Sequence, residues 1–335
     1  MPQDTPLDLP DLSIWALLDD RAGNVSQALG VVESLGLPFL RQDLAYTAAG
    51  ALPNFVMGPT FGHLTQSSRV NLMPPWPDLV IAAGRRTAPV ARNIKLKNNK
   101  RTKLVQIMHP GEGGVDEFDL IAVPRHDGIT GPNIVPVTGA PHRVTPARLA
   151  QEAKAWAGRF DLLPRPWVAV VAGGDTKRRT FTDAMARDLA AQARRMAGNG
   201  SVLLTTSRRT GERAQTLIDA VGQPAHVFRW GDDPADNPYF AYLALADAII
   251  VTGESASMCS EACASAAPVY IFAPKRLVPQ KFTRLHADLY KRGYARPLED
   301  APETGFDTWD HPPLNAADEV ADAIRALLAK DTPTP

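Results

Sequence analysis

Two doubly wound α/β lobes are the fold this sequence predicts, and three observations carry the expectation. Its 335 residues exceed the roughly 250 at which one hydrophobic core usually stops growing. Short β-branched runs alternate with Ala-rich, helix-like stretches along the chain, the pattern of a parallel sheet covered on both faces. A proline-dense stretch interrupts that alternation, which then begins afresh, so a second lobe is expected to start there.

In the first half the expected strands are SIWALLD (13–19), LPFLRQDL (37–44), DLVIAAG (78–84), KLVQIM (103–108), DLIAVP (119–124) and NIVPV (133–137), with helices fitting at 24–35 and 87–97. Prolines fix turns between Gly131 and Pro166. The second set is WVAVVAGG (167–174), SVLLTTS (201–207), AHVFRW (225–230), AIIVTG (248–253) and PVYIFA (268–273), and a helix at 315–329 follows. The expected boundaries are 1–145 for the first lobe, 146–159 for the connection, 160–312 for the second lobe and 313–335 for a closing helix with a Pro-Thr tail that frays after Asp331.

Lys+Arg and Asp+Glu balance at 36 each, so no global field draws the chain to nucleic acid. The opening MPQDTPLDLPDLSIW has no basic stretch, and nowhere do about 18 apolar residues run together, so neither a signal peptide nor a membrane span is expected. Cys259 and Cys263 lie four apart on an expected helix, sharing a face as small core residues. A disulfide or two-thiol metal site is formally open, but no CxxC or histidine cluster supplies further ligands, so no metal is expected. A reducing, cytoplasmic compartment follows.

In an open parallel sheet every strand delivers its following loop to one edge, where ligands bind and helix N-termini offer free N–H groups. The second lobe's loops are polar: Gly173, Gly174, Asp175, Thr176 and Lys177 after its first strand; Ser207, Arg208, Arg209, Thr210 and Gly211 after the next; Gly253, Glu254, Ser255, Ala256 and Ser257 after AIIVTG. Glycines allow close backbone approach, hydroxyls donate to phosphate oxygens and cations neutralise charge, which together describe a diphosphate cradle. Taken singly, each loop also reads as plain turn and N-cap chemistry. Glu261 falls about one and a half turns into the next helix, where a carboxylate can accept from ribose hydroxyls; an ordinary exposed helix glutamate is the plain alternative.

The segment 237–272, NPYFAYLALADAIIVTGESASMCSEACASAAPVYIF, resembles the donor-site motif of GT-B glycosyltransferases. With LLDDRAGNVSQALGVVESLG, DLVIAAGRRTAPVAR, VPRHDGITGPN, GAPHRVTP, AGGDTKR and TTSRRTG, nearly the whole chain resembles the mitochondrial-fission (elongated mitochondria) family. Its bacterial members are grouped with GT-B glycosyltransferases, including lipooligosaccharide-core types, and some carry the label nucleoside-diphosphate-sugar epimerase. The resemblance implies a GT-B fold, a nucleotide-sugar substrate with no tightly bound cofactor, Glu261 on ribose, and Ser255 and Ser257 at phosphate.

On that reading a general base must come from the first lobe, and the loop Asp19, Asp20, Arg21, Ala22, Gly23, Asn24 departs from the Gly-rich loop, sometimes ending in histidine, of better-known enzymes. Asp20 is the first choice by position, since it closes the first strand beside a helix N-terminus, where burial is expected to raise its pKa. His109, His126 and Asp127 stand in reserve. Alternatively Asp20 or Asn24 caps the helix from 25 and Asp20 pairs with Arg21. From Arg85 to Lys103 eight cations stand without an acid. Arg85 and Arg86, with Asn24, are expected to hold an anionic lipid or saccharide acceptor, while Arg92 to Lys103 read as a solvated helix face. The apolar loop 52–64 is either a peripheral contact on the inner face of an anionic membrane or a helix buried in the first lobe.

The expected function is an inverting, metal-independent glycosyltransferase, since no Asp-x-Asp ends a strand; Lys177, Arg208, Arg209 and helix amides then hold the leaving diphosphate. The competing readings are a non-catalytic membrane-associated adaptor and a GT-B-fold epimerase. An NAD-dependent enzyme is disfavoured, for no G-x-G-x-x-G follows the first strand and no Tyr-x-x-x-Lys occurs.

Overall fold

The structure, a computed structural model, describes residues 12–330; the fraying expected after Asp331 and the start of the opening segment lie outside them. The first elements are β1 (Ile14–Leu18), α1 (Ala22–Leu35), β2 (Leu40–Asp43), the short helices α2 (Asn54–Met57) and α3 (Gln66–Val70), β3 (Leu79–Ala83), α4 (Ala88–Lys97), β4 (Lys103–Ile107), β5 (Leu120–Pro124) and β6 (Ile134–Val137). There follow α5 (Pro146–Ala155), β7 (Trp167–Ala172), α6 (Asp183–Ala197), β8 (Ser201–Thr206), α7 (Arg213–Val221), β9 (Ala225–Phe228), α8 (Tyr239–Leu245), β10 (Ala248–Thr252), α9 (Ala256–Ala262), β11 (Val269–Phe272), α10 (Gln280–Lys291), β12 (Arg296–Pro297) and α11 (Ala316–Ala329). Every strand expected from the sequence forms within its expected range. The unexpected one is β12, two residues with no apolar run to announce them.

The strands make two six-stranded sheets, in the orders β2-β1-β3-β4-β5-β6 and β12-β11-β10-β7-β8-β9, and every pairing is parallel. The chain divides into two compact units, one of residues 12–137, 141–143 and 317–330, the other of 138–140 and 144–316. Thus α5, set apart in the sequence reading as a connection, belongs inside the second unit, and most of α11 belongs to the first. There Arg325 donates to the Ser34 carbonyl at 2.7 Å and Asp318 accepts from the Ser34 hydroxyl, tying α11 to the end of α1.

Both faces of the second sheet are covered, and its side chains divide by parity. Trp167, Ala169, Val171, Ile249 and Val251 pack with α5, α8, α9 and α10. Val168, Val170, Ala172, Ile250 and Tyr270 pack with α6 and α7. Period-two alternation sends successive residues to opposite faces, so a strand buried on both sides reads as an unbroken apolar run. In the first unit Trp15, Leu17, Val80, Ala82 and Leu104 meet α4 on one face. Cys259 and Cys263 are free and fully buried in the core, as expected.

The cationic run from Arg92 to Lys103 is only in part the solvated face expected: Lys97, Lys100 and Arg101 are exposed, but Arg92, Lys95 and Lys103 are paired. Arg92 is only 7% exposed and grips Glu117 through Nε at 3.0 Å and Nη2 at 2.5 Å. Lys95 meets Asp119 at 2.7 Å and Lys103 meets it at 3.5 Å. The acids come from beyond β4, which brings them beside α4 only once the sheet forms. The apolar loop is not a buried helix either: α2 leaves Phe55 64% and Val56 60% exposed.

Gly30 lies in the middle of α1, where alanine would ordinarily stabilise a helix by about 1 kcal/mol. Here a Cβ would stand 2.6 Å from the His142 carbonyl carbon, so the segment 141–143 packs directly on helix backbone. Gly30→Ala is expected to destabilise the protein by about 1–3 kcal/mol through overpacking, measured as a lower denaturant midpoint; an unchanged or higher midpoint would refute the close approach.

Candidate functional site

Sheet order fixes where each unit can hold a ligand. From β7 the chain winds through β8 to β9 in one direction, and β10 then lies on the opposite side of β7. The loops leaving β7 and β10 therefore diverge, and such a switch point at the carboxyl ends of parallel strands is where open α/β sheets bind ligands. In the first unit the switch point lies between β1 and β3.

At the second unit's switch point the glycines have a steric cause. A Cβ on Gly173 would collide with the Glu254 carboxylate, one on Gly174 with the Arg209 carbonyl, and one on Gly253 with the His286 ring, 2.6 Å away. The Gly173 amide donates to Thr252 Oγ1 at 2.7 Å, and the Gly174 amide to Glu254 Oε1 at 2.8 Å. Arg209 Nη2 stands 3.1 Å from the same carboxylate oxygen. Burial pushes the Glu254 carboxyl above its usual range, with Arg209 opposing the shift.

The hydroxyls expected to receive phosphate have partners within the loops. Ser207 Oγ donates to the Gly173 carbonyl at 3.0 Å, and Thr210 Oγ1 donates to the same carbonyl and to that of Ala172 at 3.2 Å. Ser207 Oγ also accepts from the Arg209 amide at 3.2 Å. These bonds tie the β8–α7 loop to the end of β7. Thr176 Oγ1 donates to the Arg179 carbonyl at 3.5 Å, and Ser255 is the N-cap of α9, accepting from Met258. Ser257 is half-buried, and Lys177 and Arg208 are exposed. Glu261 is half-buried rather than an open helix glutamate; it accepts from the Tyr239 hydroxyl at 2.5 Å.

The first unit's switch point is built around an arginine. Arg86 grips both oxygens of Asp20, one at 3.1 Å, and reaches Asp19 at 3.4 Å. Asp19 is buried and also accepts from Asn24 Nδ2 at 2.7 Å and from the Arg21 amide at 2.9 Å. The Asp20 side chain is 55% exposed, and the hydrogen bond from Arg86 holds its carboxyl below the usual carboxylate range. Burial pushes the other way but is outweighed, so the pKa is lowered rather than raised as expected from the sequence, and the hydrogen-bonding partner is Arg86, not Arg21. Nor does either expected residue cap α1: Arg21 is the N-cap, without a side-chain bond. Arg85 is turned to the loop before α2, donating to the Gly50 carbonyl at 3.1 Å, to that of Leu52, and to Asn54 Oδ1 at 3.3 Å. Among the reserve residues, His109 Nδ1 accepts from the Gly111 amide at 3.2 Å, and His126 lies 3.5 Å from Asp127.

Two residues that sequence reasoning missed complete this cluster. The Arg86 guanidinium carbon lies 4.3 Å over the Tyr46 ring, and His63 stacks on Tyr46 with centroids 5.5 Å apart. The Tyr46 hydroxyl, His63 Nδ1 and Arg86 Nε are buried without a hydrogen-bond partner among the described residues. Glu254 was likewise given no role, although an acid directly after a strand, amid basic and hydroxyl loops, is a visible anomaly.

His63 carries a pH prediction. Its Nε2 lies 3.0 Å from the Arg86 carbonyl, so Nε2 bears the proton and Nδ1 is the bare acceptor. Burial lowers its pKa below 6.5. The folded chain then binds this proton less readily than the unfolded chain, and stability falls as pH drops through about 6.5. His63→Gln is expected to flatten the dependence between pH 7 and 5.5; urea midpoints that fall equally in both proteins would exclude the effect.

The comparisons with known proteins agree with this architecture. UDP-GlcNAc 2-epimerase of Methanocaldococcus jannaschii, solved in complex with UDP-GlcNAc and UDP, superposes with a TM-score of 0.55 over 95% of this chain and 100% of its own, at 11% identity. The glycosyltransferase SnogD of Streptomyces nogalater gives 0.51 over 94% and 99%, at 14% identity. Such likeness establishes the two-lobed GT-B fold. By sequence, an uncharacterized protein of Rickettsia prowazekii, RP120, is 29% identical over 95% of this chain and 99% of its own. The mitochondrial fission protein ELM1 of Arabidopsis thaliana is 32% identical over 76% of this chain, which spans 64% of the plant protein's length. The sequence profile of the family described as Mitochondrial fission ELM1 matches residues 22–328, and the chain belongs to that family.

Proposed function

We propose that the chain is an inverting, metal-independent glycosyltransferase that takes a nucleotide-sugar as substrate, with the donor held by the second unit. The observation that carries the reading is the switch point between β7 and β10, where the Gly173–Gly174 backbone, Arg209 and the loops bearing Lys177 and Arg208 come together. Two relatives in fold support it, one described as bound to UDP-GlcNAc and one as a glycosyltransferase.

The acceptor is a lipid-linked or lipopolysaccharide-core sugar, received on the first unit by its switch-point residues. Asp20 takes the proton of the acceptor hydroxyl, whose oxygen attacks the anomeric carbon as the bond to the diphosphate oxygen breaks. Lys177, Arg208 and Arg209 balance the charge that develops on the leaving group. No described helix is long and apolar enough to cross a membrane. Exposed Phe55 and Val56 support a peripheral contact with an anionic membrane surface,. Calorimetric titration of nucleoside diphosphates and their sugars, followed by turnover assays with the binders, tests the reading; binding without turnover favours an adaptor, and release of an epimerised sugar favours an epimerase, the activity named for the Methanocaldococcus relative.

Glu261→Gln is expected to weaken nucleotide binding by about 1–3 kcal/mol, the range for charged hydrogen bonds, while keeping a partner for Tyr239. Glu261→Ala is a poorer probe, because it strands that hydroxyl and so lowers stability as well. Affinity unchanged in the Gln variant would leave Glu261 as the anchor of Tyr239 alone.

Asp20→Asn is expected to cut turnover about 100-fold or more with donor affinity nearly intact. Because Arg86 holds the Asp20 carboxyl low, the base stays ionised even at pH values below the ordinary carboxylate range, and turnover should show no acid limb between pH 5 and 7. Full activity in the variant would remove Asp20 from the chemistry and turn the search to His109, His126 and Asp127.

A further inference from the structure

The cradle at the end of β7 already holds an anion. Glu254 has a side chain with no solvent exposure. One of its oxygens takes the Gly174 amide at 2.8 Å and Arg209 at 3.1 Å, the amide and the guanidinium that would otherwise receive a phosphate oxygen. Its other oxygen, Oε2, is buried and has no hydrogen-bond partner among the described residues. Any side chain at Gly173 would displace this carboxylate, so the backbone is shaped to admit it.

We propose that Glu254 is a resident stand-in for the ligand's phosphate, and that a nucleoside diphosphate group enters by taking over Arg209 and the Gly174 amide while Glu254 binds one proton from solvent on Oε2. The inference rests on the reading of the second unit as a nucleotide-sugar site. Its physical reason is that two anions sharing one arginine in a water-poor site do not both stay ionised. The proton then sits on Oε2, the oxygen without a hydrogen-bond partner among the described residues. Burial already raises the Glu254 pKa above the ordinary carboxylate value in the free chain, and Arg209 is the charge opposing that shift. The other groups packed around it are Thr252 on β10, the Cys259 thiol on α9, kept protonated by burial, and His286 on α10, whose Nε2 lies 2.8 Å from the Gly253 carbonyl. Glu254 thus sets the selectivity of the cradle: it admits an anion with a proton, and admits it less readily as the proton becomes scarce.

The test is calorimetry of the full chain with UDP-GlcNAc, whose esterified diphosphate does not titrate near neutrality, at pH 7.5 in two buffers of different protonation enthalpy. Uptake of about one proton per ligand is expected, with affinity falling by up to about tenfold per pH unit above the free-chain value. In Glu254→Gln, of the same size, both effects should vanish and binding at pH 8 should be tighter than in the wild type. Binding by the wild type without proton uptake, or weaker binding by the variant, would overturn the proposal and leave Glu254 as a residue that positions the Gly174 loop. No binding by either protein would overturn the nucleotide reading and this inference with it. A ligand-free measurement separates the two. Because the folded carboxyl is raised, wild-type stability should fall relative to the variant as pH rises from about 4.5 through the folded value; superimposable profiles would show that Glu254 does not titrate.

Discussion

A wholly parallel sheet has to be buried on both faces, and most of what this chain does structurally follows from that constraint. Parallel neighbours need crossover connections, which lay helices on both sides. The strands therefore carry unbroken apolar runs such as Trp167 to Ala172, whose odd and even residues feed separate cores. All loops that follow strands collect at one edge of each sheet, and the reversal of winding direction opens one gap there. Polar and charged residues consequently concentrate where the winding reverses, at Asp19 to Asn24 and Gly84 to Arg86 in one unit, and at Gly173 to Lys177 and Gly253 to Ser257 in the other.

The fold was legible because its signal is local. Apolar runs of four to six residues, proline and glycine at their ends, and Ala-rich stretches between them are readable without knowing what packs on what. Where the sequence reading failed, the missing information was tertiary. The run from Arg85 to Lys103 looks unbalanced on paper, because Glu117 and Asp119 are remote until β4 and β5 pair and bring them to Arg92, Lys95 and Lys103. β12 has no pattern of its own and is a strand only because β11 offers an edge.

The candidate site was legible in place but not in role. Strand ends fixed which loops matter, yet a serine or threonine there says nothing of where its hydroxyl points. Ser207 and Thr210 turn theirs inward on the Gly173 carbonyl, which leaves the loop rigid and the donor contacts to other groups. Ser207 could donate to a ligand only by giving up an existing bond, at a net loss of about 0.5–1.5 kcal/mol per neutral hydrogen bond. Asp20 shows the same limit from the other side: its position after β1 was readable, but the sign of its pKa shift depended on Arg86, 66 residues away in sequence. Tyr46 and His63 were missed because they come from the long excursion between β2 and β3, where no periodicity marks a residue as facing the strand ends.

Both units meet the same electrostatic problem at their switch points and answer it alike. Each fixes an arginine from a loop that follows a strand with carboxylates that follow another: Arg86 with Asp19 and Asp20, Arg209 with Glu254. An unpaired guanidinium on an exposed loop would keep much rotamer freedom, of order 2 kcal/mol, and lose it on binding. The carboxylate holds the guanidinium in place beforehand, at the cost of cancelling its charge in the free protein. Anion binding at such a site is then an exchange of one carboxylate for another anion, so its strength depends on what becomes of the displaced charge. At Asp20, half exposed, water can solvate the released carboxylate. Glu254, with no solvent exposure, has no such recourse, and protonation is the means left to it of losing its charge in place.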